Sequence, residues 1–205
     1  MDNSFSGIVI KVSHYKDFDA MVTVLTTDGI KSFMAKGVFK IKSKNSRALA
    51  LYSYSTFELL DSKYGNVLKT ATCISSVFNS YNSFDALNCL SIMGETTFNS
   101  INEYDNFDMM TILNKCIQNL EDGIDPYTAT LQYLILLMKK TGEGISFEGL
   151  NCDNKLKNEL ISIYDSEVLN DNISDNKALI LDILLNIIEQ LENTKGFTLK
   201  SKNLL

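Results

Sequence analysis

The sequence contains very little of several residue types that carry enzyme chemistry. Its 205 residues include one histidine, His14, one proline and no tryptophan. Any catalytic triad would depend on that single imidazole, and the polar residues around it, 13–19, predict a solvated turn between strands. Phosphate-loop (Gly-x-x-x-x-Gly-Lys-Ser/Thr), dinucleotide (Gly-x-Gly-x-x-Gly) and hydrolase-elbow (Gly-x-Ser-x-Gly) motifs are missing as well. These absences predict a protein that is not an enzyme.

Long apolar runs are also missing. The longest uncharged apolar run in the second half, residues 131–138, is far shorter than the roughly 18 residues that a membrane span needs. The first six residues are polar and include an acid, which is not typical of a signal peptide. The sequence therefore predicts a soluble, cytoplasmic protein.

The four cysteines do not have the spacing of a metal site. Cys73, Cys89, Cys116 and Cys152 form no Cys-x-x-Cys pair, and only one histidine is available to complete a ligand set. Disulfides are rare in the cytoplasm, so we expect four small, buried apolar side chains and no bound metal or other cofactor.

Charge is distributed unevenly along the chain. Residues 1–80 carry ten basic and six acidic side chains, a balance of +4, whereas residues 81–205 carry nine and nineteen, a balance of −10. Such asymmetry predicts two domains, 1–80 and 81–205, that have different partners.

The first of these regions has the pattern of strands. Residues 8–12, 20–26, 30–35, 51–60 and 67–77 are rich in β-branched or alternating apolar residues, and Asp28-Gly29 is a hairpin signal. Five strands in about 80 residues predict a small OB-like barrel, because an open sheet of this size would leave exposed edges.

The second region has the pattern of helices, which makes the predicted fold class α+β. Asp125 and Pro126 predict a helix start, and Gly142 its end. Ser174 is expected to cap a helix that runs to about Asn193. Two further helices are predicted at residues 82–101 and 107–120.

One segment is strongly basic, and we call residues 36–47 the basic segment. Its five cations are accompanied by no acid: Lys36, Lys40, Lys42, Lys44 and Arg47. In an extended chain, the spacing of Lys40, Lys42 and Lys44 would place these side chains on one face, where they could follow a phosphate backbone. Four aromatic residues flank the segment and could stack on unpaired bases: Phe33, Phe39, Tyr52 and Tyr54. A solvated basic loop without a ligand is the alternative.

Several of these residues, taken in order, resemble the RecO family of recombination mediators. The opening residues 7–12, followed by Tyr15, Asp19 and the strand 22–26, are similar to the start of that family. Ala35-Lys36-Gly37 with the basic stretch to Arg47 resembles its Ala-Arg-Gly segment, and residues 199–202 resemble its closing Leu-Lys-Ser-Arg.

The resemblance implies a non-enzymatic role in DNA repair. It implies an oligonucleotide-binding barrel and a helical domain that bind single-stranded DNA, anneal strands and help to load recombinase together with a RecR partner. The DNA-binding residues would be those of the basic segment, including Phe39. The helical region would receive the acidic tail of single-strand-binding protein weakly, through Lys115, Lys139 and Lys140. A protein–protein adaptor with an acidic helical docking surface is the alternative function.

The sequence departs from that family in its cysteines. Many members carry a four-cysteine zinc module in the helical domain, and here only Cys152 lies near its first ligand position. Residues 153–205 contain neither Cys nor His, so the resemblance implies a metal-free remnant of the module.

Overall fold

The computed structural model describes residues 4–63, 65–77, 83–101, 109–169 and 173–205, which form strands followed by helices. The strands are β1 (Ser4–Tyr15), β2 (Asp19–Thr26), β3 (Gly29–Ala35), β4 (Tyr54–Ser62) and β5 (Gly65–Ser75). The helices are α1 (Phe84–Ser100), α2 (Met109–Glu121), α3 (Pro126–Lys140), α4 (Asn154–Ser166) and α5 (Lys177–Lys195), followed by a 3₁₀ helix, Ser201–Leu204. The predicted α+β class is confirmed.

The five strands close into a barrel in the order β1-β2-β3-β5-β4. The long strand β1 makes closure possible, because its first residues pair with β4 and the rest pair with β2. All pairs are antiparallel except β3 with β5, which pair in parallel through Met34 and Val67. The predicted five-stranded, OB-like barrel is confirmed.

Side chains alternate between the inside and the outside of the barrel along each strand, and the inward-facing apolar ones fill its interior. Phe5, Phe33 and Phe57 form a cluster with ring centroids 5.3 to 6.2 Å apart. Gly7 lies where β1 passes β2 so closely that a Cβ atom there would be 2.4 Å from the carbonyl oxygen of Leu25. The glycine of the sequence motif is therefore required by a close backbone approach.

The predicted hairpin at Asp28-Gly29 is confirmed. Thr26 pairs with Gly29 at the end of the β2–β3 ladder. The hydroxyl oxygen of Thr26 accepts the N–H of Asp28 at 3.1 Å and donates to the carbonyl of Gly29 at 2.8 Å. Gly29 has φ of 103°, a conformation that glycine adopts without steric cost.

Helix α3 is the centre of the helical region, and it begins and ends as predicted. The Asp125 carboxylate accepts the N–H of Thr128, and every residue from Thr128 to Met138 is buried. This burial follows from contacts with three other helices, α1, α4 and α5. A helix that is apolar on all sides is typical of such a central position.

Two features of the helical region differ from the prediction. Helix α5 is capped by Asn176, whose side chain accepts the N–H of Leu179, whereas Ser174 accepts the N–H of Asn176 just outside the helix. Helix α4 has no counterpart in the sequence prediction, because only Leu156, Leu160 and Ile163 form its buried stripe. The sequence predicts that α1 begins at Asn82 and α2 at Phe107. Both of these residues lie outside the described part of the chain.

The chain forms two compact units. One comprises residues 1–77 and 101–114, and we call it the barrel unit; the other, the helical unit, comprises residues 78–100 and 115–205. The division into domains at residues 80 and 81 stays a prediction. None of the helices that the structure describes is long and apolar enough to cross a membrane.

Candidate nucleic-acid interface

The basic segment folds as successive turns after β3, so the predicted extended row of lysines is wrong. Lys40 donates its N–H to the carbonyl of Gly37 at 3.2 Å, and Ser43 donates to that of Lys40 at 2.9 Å. Gly37 has φ of 66°, which turns the chain as it leaves β3. Val38 and Leu49 are buried in the barrel core, so the chain between them must fold back on itself. Tertiary packing therefore prevents the extended conformation that the two-residue spacing of the lysines predicted.

Hydrogen bonds attach the basic segment to the barrel at three points. The carboxylate of Asp19, the first residue of β2, accepts the N–H of Gly37 at 2.7 Å. The carbonyl of Phe18 accepts the N–H of Phe39 at 3.1 Å, and the side-chain oxygen of Asn45 accepts the N–H of Ala71 in β5 at 3.3 Å. These contacts position the segment between the β1–β2 turn and β5.

The cations of the basic segment all face solvent. Lys36, Lys40, Lys42, Lys44 and Arg47 are exposed. Within the described parts of the chain, no carboxylate forms an ion pair with any of them, whereas Lys31 and Lys69 of the strands pair with Asp28 and Glu58. Positive charge that is not neutralised internally remains available to an anion.

Two of the four aromatic residues predicted to stack on bases are in the interior. Phe33 is 1% exposed and Tyr52 is 8% exposed, so the prediction is wrong for both. Phe33 points into the barrel because its position in β3 alternates with solvent-facing neighbours, and Tyr52 lies in the turn that leads into β4. Phe39 is exposed, as expected, and Tyr54 is half-buried.

Other rings replace them at the surface. Tyr15 and Phe18 are exposed beside the β1–β2 turn, and the ammonium of Lys40 lies 5.9 Å from the centre of the Phe18 ring. His14 stacks on Phe39 with ring centres 4.0 Å apart and planes inclined by 13°. His14 is exposed as predicted, but it lies near the end of β1 and contacts the basic segment, whereas the sequence predicted a turn. Aromatic residues in a polar stretch between strands were the sequence signal for this surface.

A groove of about 590 Å³ lies on the outer face of β2 and β3. Tyr15 and Lys16 line one end, Asn66 of the β4–β5 hairpin lines the other, and Lys36 also contributes. OB barrels bind oligonucleotides across this face and these two turns. Lys36 thus belongs to both the groove and the basic segment.

The cations predicted to bind a partner in the helical unit are differently placed. Lys139 and Lys140 pair with the two oxygens of Glu167 at 3.1 and 2.5 Å, and Lys139 also donates to the carbonyl of Asp165. Hydrogen bonds from Lys140 and Lys139 lower the pKa of the Glu167 carboxyl. The pair thus joins the end of α3 to the end of α4. Lys115 is exposed on α2.

The cysteines are free thiols in two different environments. Cys89 and Cys116 are buried as expected, and burial raises the pKa of both thiols to about 12. Cys73 and Cys152 are only partly buried, because they lie near the ends of β5 and before α4. No three Cys, His, Asp or Glu side chains converge as a metal site among the described residues. The residues around Cys152 therefore do not fit the zinc module.

Comparison with known proteins finds a family match for the strands of the barrel. Residues 1–77 match the family model described as "Recombination protein O N terminal". Residues 1–77 are therefore similar to the N-terminal domain of the RecO family. The matched residues include Gly7, Asp19 and the whole basic segment, so the match covers the candidate interface described above.

Curated RecO proteins from several bacteria are similar to this chain. The DNA repair protein RecO of Mesoplasma florum is 28% identical over 145 residues, which are 66% of this chain and 53% of the relative. That of Mycoplasma mycoides is 36% identical over 84 residues, 40% of this chain and 33% of the relative. That of Leuconostoc citreum is 26% identical over 180 residues, which are 83% of this chain and 65% of the relative. The chain thus spans between one third and two thirds of these RecO proteins.

Proposed function

We propose that this protein is a member of the RecO family and acts in DNA repair as a non-enzymatic mediator that binds single-stranded DNA through its barrel. The observation that carries the proposal is the set of five exposed cations beside exposed rings, none of them ion-paired within the described residues. The names of the curated relatives support the repair role. Annealing of complementary strands and recombinase loading with a RecR partner belong to the same proposal.

The cations and the rings have different roles in this binding. Lysine and arginine attract any phosphate backbone by charge, without regard to base sequence. Exposed rings such as Phe39 and Phe18 can stack only on bases that are not already stacked within a duplex. Together the two groups favour a single strand over a double helix.

The helical unit is a poor surface for DNA. The acidic excess of residues 81–205 repels phosphates, and Lys139 and Lys140 are already paired with Glu167. We therefore expect DNA to contact the barrel alone, and the acidic tail of single-strand-binding protein to bind weakly.

A filter-binding titration of the full chain with labelled single-stranded DNA tests the proposal. Affinity is expected to fall steeply between about 50 and 200 mM salt. A plot of the logarithm of the association constant against the logarithm of the salt concentration is expected to have a slope of about −0.7 per neutralised phosphate. Replacing Lys40, Lys42 and Lys44 together by glutamate is expected to weaken binding by at least about a hundredfold and to flatten that slope.

A matched triple variant controls for net charge. Lys155, Lys157 and Lys200 of the helical unit, also replaced by glutamate, change the total charge by the same amount and are expected to leave DNA binding intact. Equal affinity of the wild type and the basic-segment variant would refute the site. Absence of DNA binding by the folded wild-type chain would favour the adaptor function instead.

A further inference from the structure

We propose that the hollow beside the His14–Phe39 stack is a subsite for one unpaired nucleobase of the bound strand. The inference rests on the proposed function and deepens it, because it assigns one base contact to a particular hollow of the barrel unit. It gives His14 a binding role as a stacking residue.

The hollow lies between β1 and the β3–β4 connection and has a volume of about 290 Å³. Its walls are mostly apolar: Val12, Val38, Leu49 and Leu51 join the two stacked rings, and Ser46 adds one hydroxyl. The volume accommodates a flat base ring. Recognition sites of this kind combine an apolar lining with few polar groups.

The rings of His14 and Phe39 are already stacked, and a nucleobase could extend this stack. They lie nearly parallel, 4.0 Å apart at their centres, so each ring covers one face of the other. Phe39 nevertheless remains 37% exposed, so the stack with His14 leaves part of this residue open to solvent. A third flat ring could stack there with the offset that aromatic pairs prefer.

The surroundings of the hollow are unusually apolar for a surface loop. Leu51 and Phe39 line the hollow and are 38% and 37% exposed. Neighbouring exposed apolar side chains mark binding surfaces, since solvent alone gives no reason to group them. Phe39 belongs to the basic segment, so apolar contact and positive charge lie in the same stretch of chain.

Charge complementarity identifies the occupant. Arg47 follows Ser46 at the wall of the hollow, and Lys40, Lys42 and Lys44 precede it, all of them exposed. A nucleic-acid strand supplies both a flat ring for the hollow and phosphates for these cations. An apolar peptide would satisfy the hollow and leave the cations without partners.

An abasic oligonucleotide separates base contacts from phosphate contacts, because it keeps the backbone charge and lacks the rings. The full chain is titrated with oligothymidine and with an abasic strand of equal length. Oligothymidine is expected to bind at least about fivefold more tightly. In Phe39→Ala and His14→Ala the oligothymidine advantage is expected to shrink, with little change in abasic binding.

Conservative variants and a control distinguish stacking from a structural role. His14→Phe retains a flat ring and is expected to keep the oligothymidine advantage. Phe84→Ala removes a ring of the helical unit that is more exposed than Phe39, at 70%, and is expected to change neither affinity. Phe39→Leu keeps an apolar side chain without a ring, so it tests stacking even if Phe39→Ala fails to fold.

A strand carrying one 2-aminopurine gives an independent readout, because stacking quenches its fluorescence. Quenching by the wild type that is lost in Phe39→Leu supports the subsite. Equal binding of oligothymidine and abasic strands would overturn it while leaving phosphate binding intact. Failure of both strands to bind would instead refute the proposed function.

Discussion

The basic segment and the helical unit hold their cations in opposite ways. In the described residues, none of the five cations of the basic segment forms an ion pair. Among the described residues of the helical unit, five lysines pair with carboxylates: Lys139 and Lys140 with Glu167, Lys177 with Asp125, Lys195 with Glu143 and Lys202 with Glu192. Pairing, and not only the number of cations, therefore decides which surface can attract a polyanion.

The two units resemble each other in how a carboxylate holds a chain segment. In the barrel unit Asp19 accepts the N–H of Gly37, which positions the basic segment. In the helical unit Glu95 accepts the N–H groups of Lys200 and Ser201 and the hydroxyl of Ser201, at 3.1, 2.9 and 2.7 Å. The first contact presents cations to solvent, and the second fixes residues 200 and 201 against α1.

Introducing a carboxylate into the basic segment would give its lysines an internal partner, as the paired lysines of the helical unit already have. Ile41 is fully exposed, so Ile41→Glu adds an acid there without disturbing the core. Single-stranded DNA affinity is expected to fall about tenfold at low salt, because the new charge competes with phosphates for the neighbouring lysines.

Ile41→Gln is the matched control for this variant, since it is polar but uncharged and is expected to bind almost as well as the wild type. Filter binding of both variants at two salt concentrations measures the effect. Equal losses in the glutamate and glutamine variants would show that Ile41 acts through apolar contact and not through charge.

Removing the charge of Glu95 tests the carboxylate contact in the helical unit. Partial burial opposes its ionisation, but hydrogen bonds from Ser201 and from the backbone of Lys200 outweigh this and lower its pKa below the ordinary 4.5. Glu95→Gln is expected to reduce the free energy of unfolding by about 1 kcal/mol at neutral pH. Urea unfolding of the wild type and variant measures this loss.

The pH dependence of that loss has a definite sign. The folded-state pKa of Glu95 is lower than the unfolded one, so the carboxylate stabilises the fold fully above the unfolded pKa. This contribution disappears as the pH falls through the folded pKa, and the wild type and Glu95→Gln are expected to converge there. Glu189→Gln, an exposed change on α5, controls for general charge effects. A difference that stays constant down to about pH 3 would contradict the assignment.

Releasing Lys139 and Lys140 from their partner gives the smallest expected effect. Glu167→Gln removes the shared carboxylate, and a partly exposed ion pair is worth at most about 1 kcal/mol. An acidic peptide that ends in a Phe carboxylate is expected to bind the wild type weakly and this variant up to about fivefold more tightly. A fluorescent peptide titration measures both, with the exposed Glu148→Gln as control. Submicromolar binding to the wild type, abolished by replacing Lys139 and Lys140 with glutamate, would overturn the expectation.

The strands and the central helix follow from local patterns in the sequence. Alternating β-branched residues predicted β1 to β3, and the Asp28-Gly29 turn predicted the hairpin of β2 with β3. Asp125 and Pro126 defined the start of α3. These features depend on near neighbours along the chain, so periodicity and turn chemistry are sufficient to predict them.

The interface was only partly predictable, because its geometry depends on contacts between distant residues. The charges of the basic segment are visible in the sequence, whereas its turns depend on Asp19, Asn45 and the buried Val38 and Leu49. The burial of Phe33 and Tyr52 and the exposure of Phe18 follow from barrel closure. No local pattern pairs His14 with Phe39, 25 positions further along the chain.

By itself the sequence determined which charges the protein carries and which segments form strands and helices, because composition and periodicity act through local preferences and the hydrophobic effect. The tertiary structure decided which charges are neutralised and which rings reach solvent. Glu167 lies 27 residues beyond Lys140, and only the packing of α4 beside α3 brings the two together. Ion pairing and stacking act over a few ångströms, so they depend on distances that only the folded chain fixes.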